Sequence, residues 1–199
     1  VYVCGYTNSI DLISTDSTHQ DSIKGMIDGY ISKFDPVTGQ KIWGTYFGGS
    51  ENDYVNGIKA YNDVIYFVGT TLSEDYIASD SMQYQFEKNG LEDAFIGRVM
   101  SDSGSVMWST YYGGDSSDYG IDLDIEMDKK VFLLGTTLSD SLIASDSTQQ
   151  NQIGGGKDVF LSKFETFGFR MWGTYYGGAM DDEAYGVDVF GNTSIYVVG

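Results

Sequence analysis

One unit is written three times in this chain of 199 residues, and it limits the fold more than any other feature. Its clearest marker reads Trp43-Gly-Thr-Tyr-Phe-Gly-Gly49, Trp108-Ser-Thr-Tyr-Tyr-Gly-Gly114 and Trp172-Gly-Thr-Tyr-Tyr-Gly-Gly178. A second marker reads Val1-Tyr-Val-Cys-Gly5, Ile65-Tyr-Phe-Val-Gly69, Val131-Phe-Leu-Leu-Gly135 and Ile195-Tyr-Val-Val-Gly199. Order and spacing are kept throughout. A fixed period of this kind predicts an array in which each unit buries its apolar face on its neighbour.

Composition supports strands and turns. Hydrophobic residues make up 41% and aromatics 15%, enough for a core and incompatible with disorder. No long stretch carries the helical period, which predicts little helix. The formal net charge is −18, so the surface repels phosphate backbones and anionic bilayers, which disfavours nucleic-acid binding as a function class. That charge reads as solubility or, more sharply, as divalent-cation binding. Cys4 is the only cysteine, so no intrachain disulfide forms, and it reads as a small core residue. No apolar run is long enough to predict insertion into a membrane as a helix. No signal peptide is read in a sequence that begins at Val1, inside a repeat.

The middle unit shows the order of elements. Tyr54–Ala60 is a short candidate strand, followed by an Asn62-Asp63 turn and an apolar strand, Val64–Thr71. A polar loop over 72–92 leads to a third strand, Asp93–Val99. A turn at Ser101-Asp-Ser-Gly104 leads to a fourth, Val106–Tyr112, ended by Gly113-Gly114. Four strands in sequence order describe an antiparallel meander. The expected fold class is therefore all-β: propeller blades of four-stranded antiparallel meanders, about three of them, in one array over 1–199. The units fall at about 1–53, 54–118 and 119–183, with a partial unit at 184–199. The first and last elements are the same strand, so the chain is expected to be part of a larger ring of roughly 6–8 units.

On the third strands, Tyr30, Ser32 and Phe34 match Phe95, Gly97 and Val99, then Phe160, Ser162 and Phe164. A small residue between two large ones predicts close approach of a neighbouring sheet. Lys33, Arg98 and Lys163 lie on the opposite face and are expected at a sheet edge or in ion pairs. The long loops share Ile-(Ser/Ala)-(Thr/Ser)-Asp-Ser, with Asp16, Asp80 and Asp146 expected to form Asx-turns. His19 aligns with Gln83 and Gln149 when the loops are counted from that Ile, so a polar loop role is expected of it.

The marker Trp-(Gly/Ser)-Thr-Tyr-(Tyr/Phe)-Gly-Gly, with an Asp four residues on and a later Gly-x-x-Asp-x-(Phe/Tyr), resembles the SBBP-type bacterial β-propeller repeat. The resemblance covers essentially the whole chain, and Leu142-Ile-Ala-Ser-Asp-Ser147 is similar to the variant found in secreted proteins of Bacteroidota-type bacteria. It implies an exported or cell-surface, often multidomain protein, with no shared catalytic activity and no catalytic residues to carry over. Asp35-Pro-Val-Thr-Gly-Gln-Lys-Ile-Trp43 also resembles the tryptophan-docking motif of quinoprotein propellers, with Lys33 in place of the expected Ala. In that family the motif stacks blades.

Chemistry is sparse. One His and one Cys exclude an ordinary zinc site within the chain, and there is no phosphate-binding Gly loop or Gly-x-Ser-x-Gly elbow. The acidic loops after the fourth strands are the best site candidates, with Asp53, Asp115, Asp118, Asp181 and Asp182 as candidate Ca²⁺ ligands. The competing role for an Asp just before a strand is turn formation. The recurring Trp and Tyr residues offer either blade packing, which their repetition favours, or a carbohydrate-stacking surface. No other cofactor is indicated. The expected function is a non-enzymatic scaffold, adhesion or recognition module, secreted or at the cell surface. Its expected partners are the remaining blades of the same protein, an extracellular protein or a glycan. The alternative is part of a quinoprotein-like or carbohydrate-active propeller enzyme whose catalytic residues lie outside this chain.

Overall fold

Thirteen strands, in chain order, make up the regular structure of a computed structural model that describes residues 1–79 and 84–199. β1 (Tyr2–Thr7), β2 (Asp28–Phe34) and β3 (Lys41–Phe47) form sheet I. β4 (Asp53–Tyr61), β5 (Val64–Thr71), β6 (Asp93–Met100) and β7 (Val106–Tyr112) form sheet II. β8 (Asp118–Ile125), β9 (Val131–Thr137), β10 (Asp158–Phe164) and β11 (Arg170–Tyr176) form sheet III. β12 (Gly186–Phe190) pairs with β13 (Ser194–Val198) as sheet IV. Every pairing is antiparallel between strands consecutive in sequence, and no helix occurs among the described residues. The protein is an all-β repeat of antiparallel meanders.

The apolar second strands explain the stacking. Every residue of β5 and β9 is buried, because both faces of the strand meet another sheet. One face of sheet II, with Ile65, Phe67, Phe95, Val99 and Tyr111, packs on Ile31, Trp43 and Phe47 of sheet I. The other face, with Tyr66, Val68, Ile96, Trp108 and Tyr112, packs on Val131, Leu133, Phe160 and Phe164 of sheet III. Each such Val, Leu, Ile or Phe contributes about 1.5–3 kcal/mol by leaving water. The first strand of each unit lies against the sheet before it: β4 on β1, β8 on β4 and β5, and β12 on β8. Across these strands the Asn56 side-chain amide donates to Gly120 O at 2.8 Å, and Asp124 accepts from Val189 N at 2.7 Å.

A bulge recurs in each fourth strand. Lys33 pairs with Trp43 but Phe34 with Lys41, leaving Ile42 as the extra residue, and Met107 and Met171 are its counterparts. The extra residue is exposed each time, and the bulge turns the following Trp onto the face that meets the next sheet.

The small residue on the third strand works within its own sheet. A Cβ on Gly97 would sit 2.4 Å from the Phe67 ring on β5, and Phe67 then reaches Phe47 of sheet I at 4.7 Å. Gly97 thus makes room for a neighbouring ring rather than for a neighbouring backbone.

Candidate functional site

The recurring polar residues converge at the Gly-Gly turns. Gln20, eight residues before Asp28, donates from Nε2 to Asp28 Oδ2 at 2.7 Å, while its Oε1 accepts from Gly48 N at 3.1 Å. Asp28 also accepts from the backbone N–H groups of Lys24 and Gly25. The second Gly of the turn, Gly49, donates to Asp53 Oδ2 at 2.7 Å. The same constellation recurs as Gln85, Asp93, Gly113, Gly114 and Asp118, and again as Gln150, Asp158, Gly177, Gly178 and Asp182. Glycine is required because a Cβ on Gly48 would lie 2.7 Å from Asp53 and 2.8 Å from Asp28. The backbone of the turn passes between two carboxylates.

This locates the candidate metal ligands. Asp53 is fully buried, and its oxygens accept from Thr71 Oγ1, Ser73 Oγ and Gly49 N. Asp118 is equally buried, but Ser139 Oγ and Gly114 N both donate to its Oδ2, each at 2.8 Å, while its Oδ1 has no hydrogen-bond partner among the described residues. Burial pushes both carboxyls up to about 6, although Thr71 and Thr137, the turn N–H groups and the two serines pull the other way. Asp182 accepts from Gly178 N at 2.7 Å, and Asp115 and Asp181 lie outside these networks. No group of three or more His, Cys, Asp or Glu side chains converges to hold a metal among the described residues. What the geometry gives Asp53, Asp118 and Asp182 is the capping of a turn.

The long loops hold together differently from the expectation. No hydrogen bond reaches the carboxylates of Asp16 or Asp146 among the described residues, and Asp80 lies outside them. The backbone N–H groups of Gln20, Gln85 and Gln150 instead donate to Thr45, Thr110 and Thr174 at 2.8–3.0 Å. Counted from these glutamines, His19 corresponds to Tyr84 rather than to Gln83, which also lies outside the described residues. His19 stacks on Phe47 at 5.9 Å and Tyr84 packs on Tyr112 at 5.8 Å, so both residues extend a sheet-to-sheet contact. The second loop is one residue longer than the others, which an ungapped alignment conceals.

The tryptophans form the seams. Trp43 is 3% exposed; its Nε1 donates to Ser101 O of sheet II at 3.2 Å, and Lys33 Nζ donates to the same oxygen at 2.7 Å. Trp108 is 4% exposed; its Nε1 donates to Thr166 O of sheet III at 2.9 Å, where Arg98 joins it at 3.4 Å. The indole of Trp43 covers Gly104 at the tip of the receiving turn, where φ is +73° and a Cβ would lie 2.6 Å from the ring. Only glycine meets both conditions. Lys33 and Arg98 therefore bind a carbonyl across the seam, while Lys163 pairs with Glu126 at 2.7 Å within sheet III.

The third copy is open. Trp172 is half-buried against Phe132 at 5.9 Å and borders an open groove of about 510 Å³ with Ser145, Thr148, Gln149 and Met171. Tyr176 is 66% exposed, where its counterpart Tyr112 is 0%. A second groove, about 280 Å³, runs between Val159, Leu161 and Tyr176 of sheet III and Ile195 and Val197 of β13. This open, mainly apolar face is the candidate functional site. No protein-family model and no curated protein matches the chain. No helix of the described residues is long and apolar enough to cross a membrane.

Proposed function

We propose that the chain is a non-enzymatic β-propeller repeat module of the SBBP type, belonging to an exported or cell-surface protein and presenting a scaffold or recognition surface. One observation carries the reading: where two sheets meet, the recurring residues are taken up by packing and by hydrogen bonds. The indole N–H groups of Trp43 and Trp108, the Lys33 ammonium, the Gln and Asp side chains at the turns and the Tyr46, Tyr111 and Tyr175 hydroxyls are all bonded to backbone groups. Held in that way, these groups serve the turns and the stacking of the sheets. Contact between the first strands of successive units, with each sheet stacked on the next, supports a propeller-like arrangement.

Negative-stain imaging of the full-length protein tests this proposal. Closed rings of evenly spaced units support it, and a straight rod of stacked sheets contradicts it. Surface biotinylation of intact producing cells tests the location: labelling without lysis supports export, and labelling only after lysis opposes it.

A further inference from the structure

The fourth strand of every unit lies at the edge of its sheet: β3, β7 and β11 each pair with one strand only. Such an edge presents a row of backbone N–H and C=O groups that another chain can extend. β7 is the clearest hazard. Its 7 residues, Val-Met-Trp-Ser-Thr-Tyr-Tyr, carry no charge, proline or glycine. That composition favours assembly of strand upon strand. The edges therefore need a guard that their own side chains do not supply.

The long loop of the same unit supplies it. In sheet I, Gly44 N donates to Thr15 Oγ1 at 3.2 Å and Gly44 O accepts from Thr15 N at 2.9 Å. Two residues on, Tyr46 N donates to Gln20 O at 3.1 Å and Tyr46 O accepts from Thr45 Oγ1 at 2.9 Å. Two further on, Gly48 N donates to Gln20 Oε1. The same five bonds recur on Ser109, Tyr111 and Gly113 of the second unit, with Ser79, Gln85 and Thr110. They recur again on Gly173, Tyr175 and Gly177 of the third, with Ser145, Gln150 and Thr174. Satisfied in this way, the outward backbone groups no longer offer a ladder.

The loop presents no ladder of its own. Between its two points of contact it turns, with Thr18 Oγ1 donating back to Thr15 O and Thr148 Oγ1 to Ser145 O. Fully buried Ile77 and Ile143 pin the second and third loops to the sheets. A cation adds a clamp in two units. Lys41 Nζ donates to Ile13 O at 2.9 Å, and Arg170 Nη1 donates to Ile143 O at 2.8 Å. Val106 holds their place on β7, so the second loop depends most on its backbone bonds and on Thr110.

We propose that each long loop is a strap that shields the outer edge of its unit from strand addition by another chain. The role is independent of ring closure and of what adjoins the first and last sheets, since β7 belongs to a sheet packed on both faces.

Release of the second strap tests the proposal. Ser79→Pro removes the N–H that Ser109 O accepts, and Thr110→Val removes the hydroxyl that Gln85 N and Tyr111 O use. The double variant is compared with wild type by sedimentation velocity at about 0.15 M salt, where the −18 charge of each copy is screened. Its self-association is expected to tighten at least about tenfold, with an added infrared band of intermolecular strand pairing. Thr110→Ser keeps the hydroxyl and is expected to sediment as wild type. A double variant that melts cooperatively yet sediments as wild type overturns the proposal. So does association that Thr110→Ser induces equally. Ser79→Pro alone replaces a double variant that fails to fold. Hydrogen exchange on the wild-type chain adds a test that needs no variant. The outward amides of Ser109 and Tyr111 are expected to exchange at least about a hundredfold more slowly than in an unstructured peptide, and exchange at the peptide rate overturns the strap.

Discussion

Trp108 and Trp172 occupy the same place in successive units and have opposite surroundings. Trp108 lies in a closed seam, with its N–H on Thr166 O, its ring against Tyr66 at 5.9 Å and Tyr112 fully buried two turns of the pleat away. Trp172 keeps the analogous ring contact with Phe132, but it is only half-buried, beside Val189 and Ile195 of sheet IV, and Tyr176 is exposed. The difference separates what a unit does for itself from what it does for its neighbour. Turn capping by Gln150, Asp158 and Asp182 survives at the open end. The indole-to-carbonyl bond and the aromatic contact with the next sheet are what the open end lacks.

The largest expected effect breaks this comparison directly. Trp108→Ala should cost about 3–5 kcal/mol in a guanidinium melt, since it removes a fully packed indole. Trp172→Ala should cost less than about 2 kcal/mol, because the half-buried ring gives up less area. Equal losses would mean that the two faces are equivalent.

A second pair concerns the turns. Asp118→Ala leaves Gly114 N and Ser139 Oγ without an acceptor in a buried place and should cost about 2–3 kcal/mol. Asp182→Ala, at the more open turn, should cost under about 1 kcal/mol. A third pair compares glycines in the same conformation. Gly104→Ala should cost more than about 1 kcal/mol, from a left-handed backbone and a clash with Trp43 together, whereas Gly39→Ala carries only the backbone strain of up to about 1 kcal/mol.

The buried carboxyls add a pH dependence. Asp53 and Asp118 have folded pKa values raised to about 6, above the unfolded value near 3.8. Between those limits the folded state holds more protons than the unfolded state, so stability falls as pH rises from about 4 to about 6 and then levels off. Tm should be higher at pH 5 than at pH 8, by about 2–4 °C for each kcal/mol gained in a chain of this size. The double variant Asp53→Asn with Asp118→Asn should lose most of that difference. A Tm that rises from pH 5 to pH 8 would contradict the buried placement of both groups.

Much of the fold was legible because packing acts on the strands as whole units. Val64–Thr71 and Val106–Tyr112 appear in the structure with the limits the sequence predicts, since an apolar run between turn residues leaves little freedom. Tyr54–Ala60 extends by one residue at each end to β4, because Asp53 and Tyr61 continue the ladder with Thr71 and Val64. The bulge was not recognised, although an exposed Ile or Met before each Trp marks it: Ile42, Met107 and Met171 break the alternation of their strands. The glutamines were missed because their meaning depends on counting back from Asp28, Asp93 and Asp158, where the spacing is constant, instead of forward through loops of unequal length. Lys33 and Arg98 were read as edge or ion-pair residues because their acceptor is a backbone carbonyl of another unit, which carries no sequence signal.

Trp43 and Trp108 are closed into seams between sheets, and Trp172 alone is half-exposed. Fluorine NMR of chain labelled with 5-fluorotryptophan tests this most directly, with Trp172→Phe assigning one resonance and a soluble paramagnetic agent reporting access. In dilute solution the Trp172 resonance is expected to broaden while those of Trp43 and Trp108 do not. Equal broadening of all three resonances, or protection of Trp172 in the monomer, would contradict it.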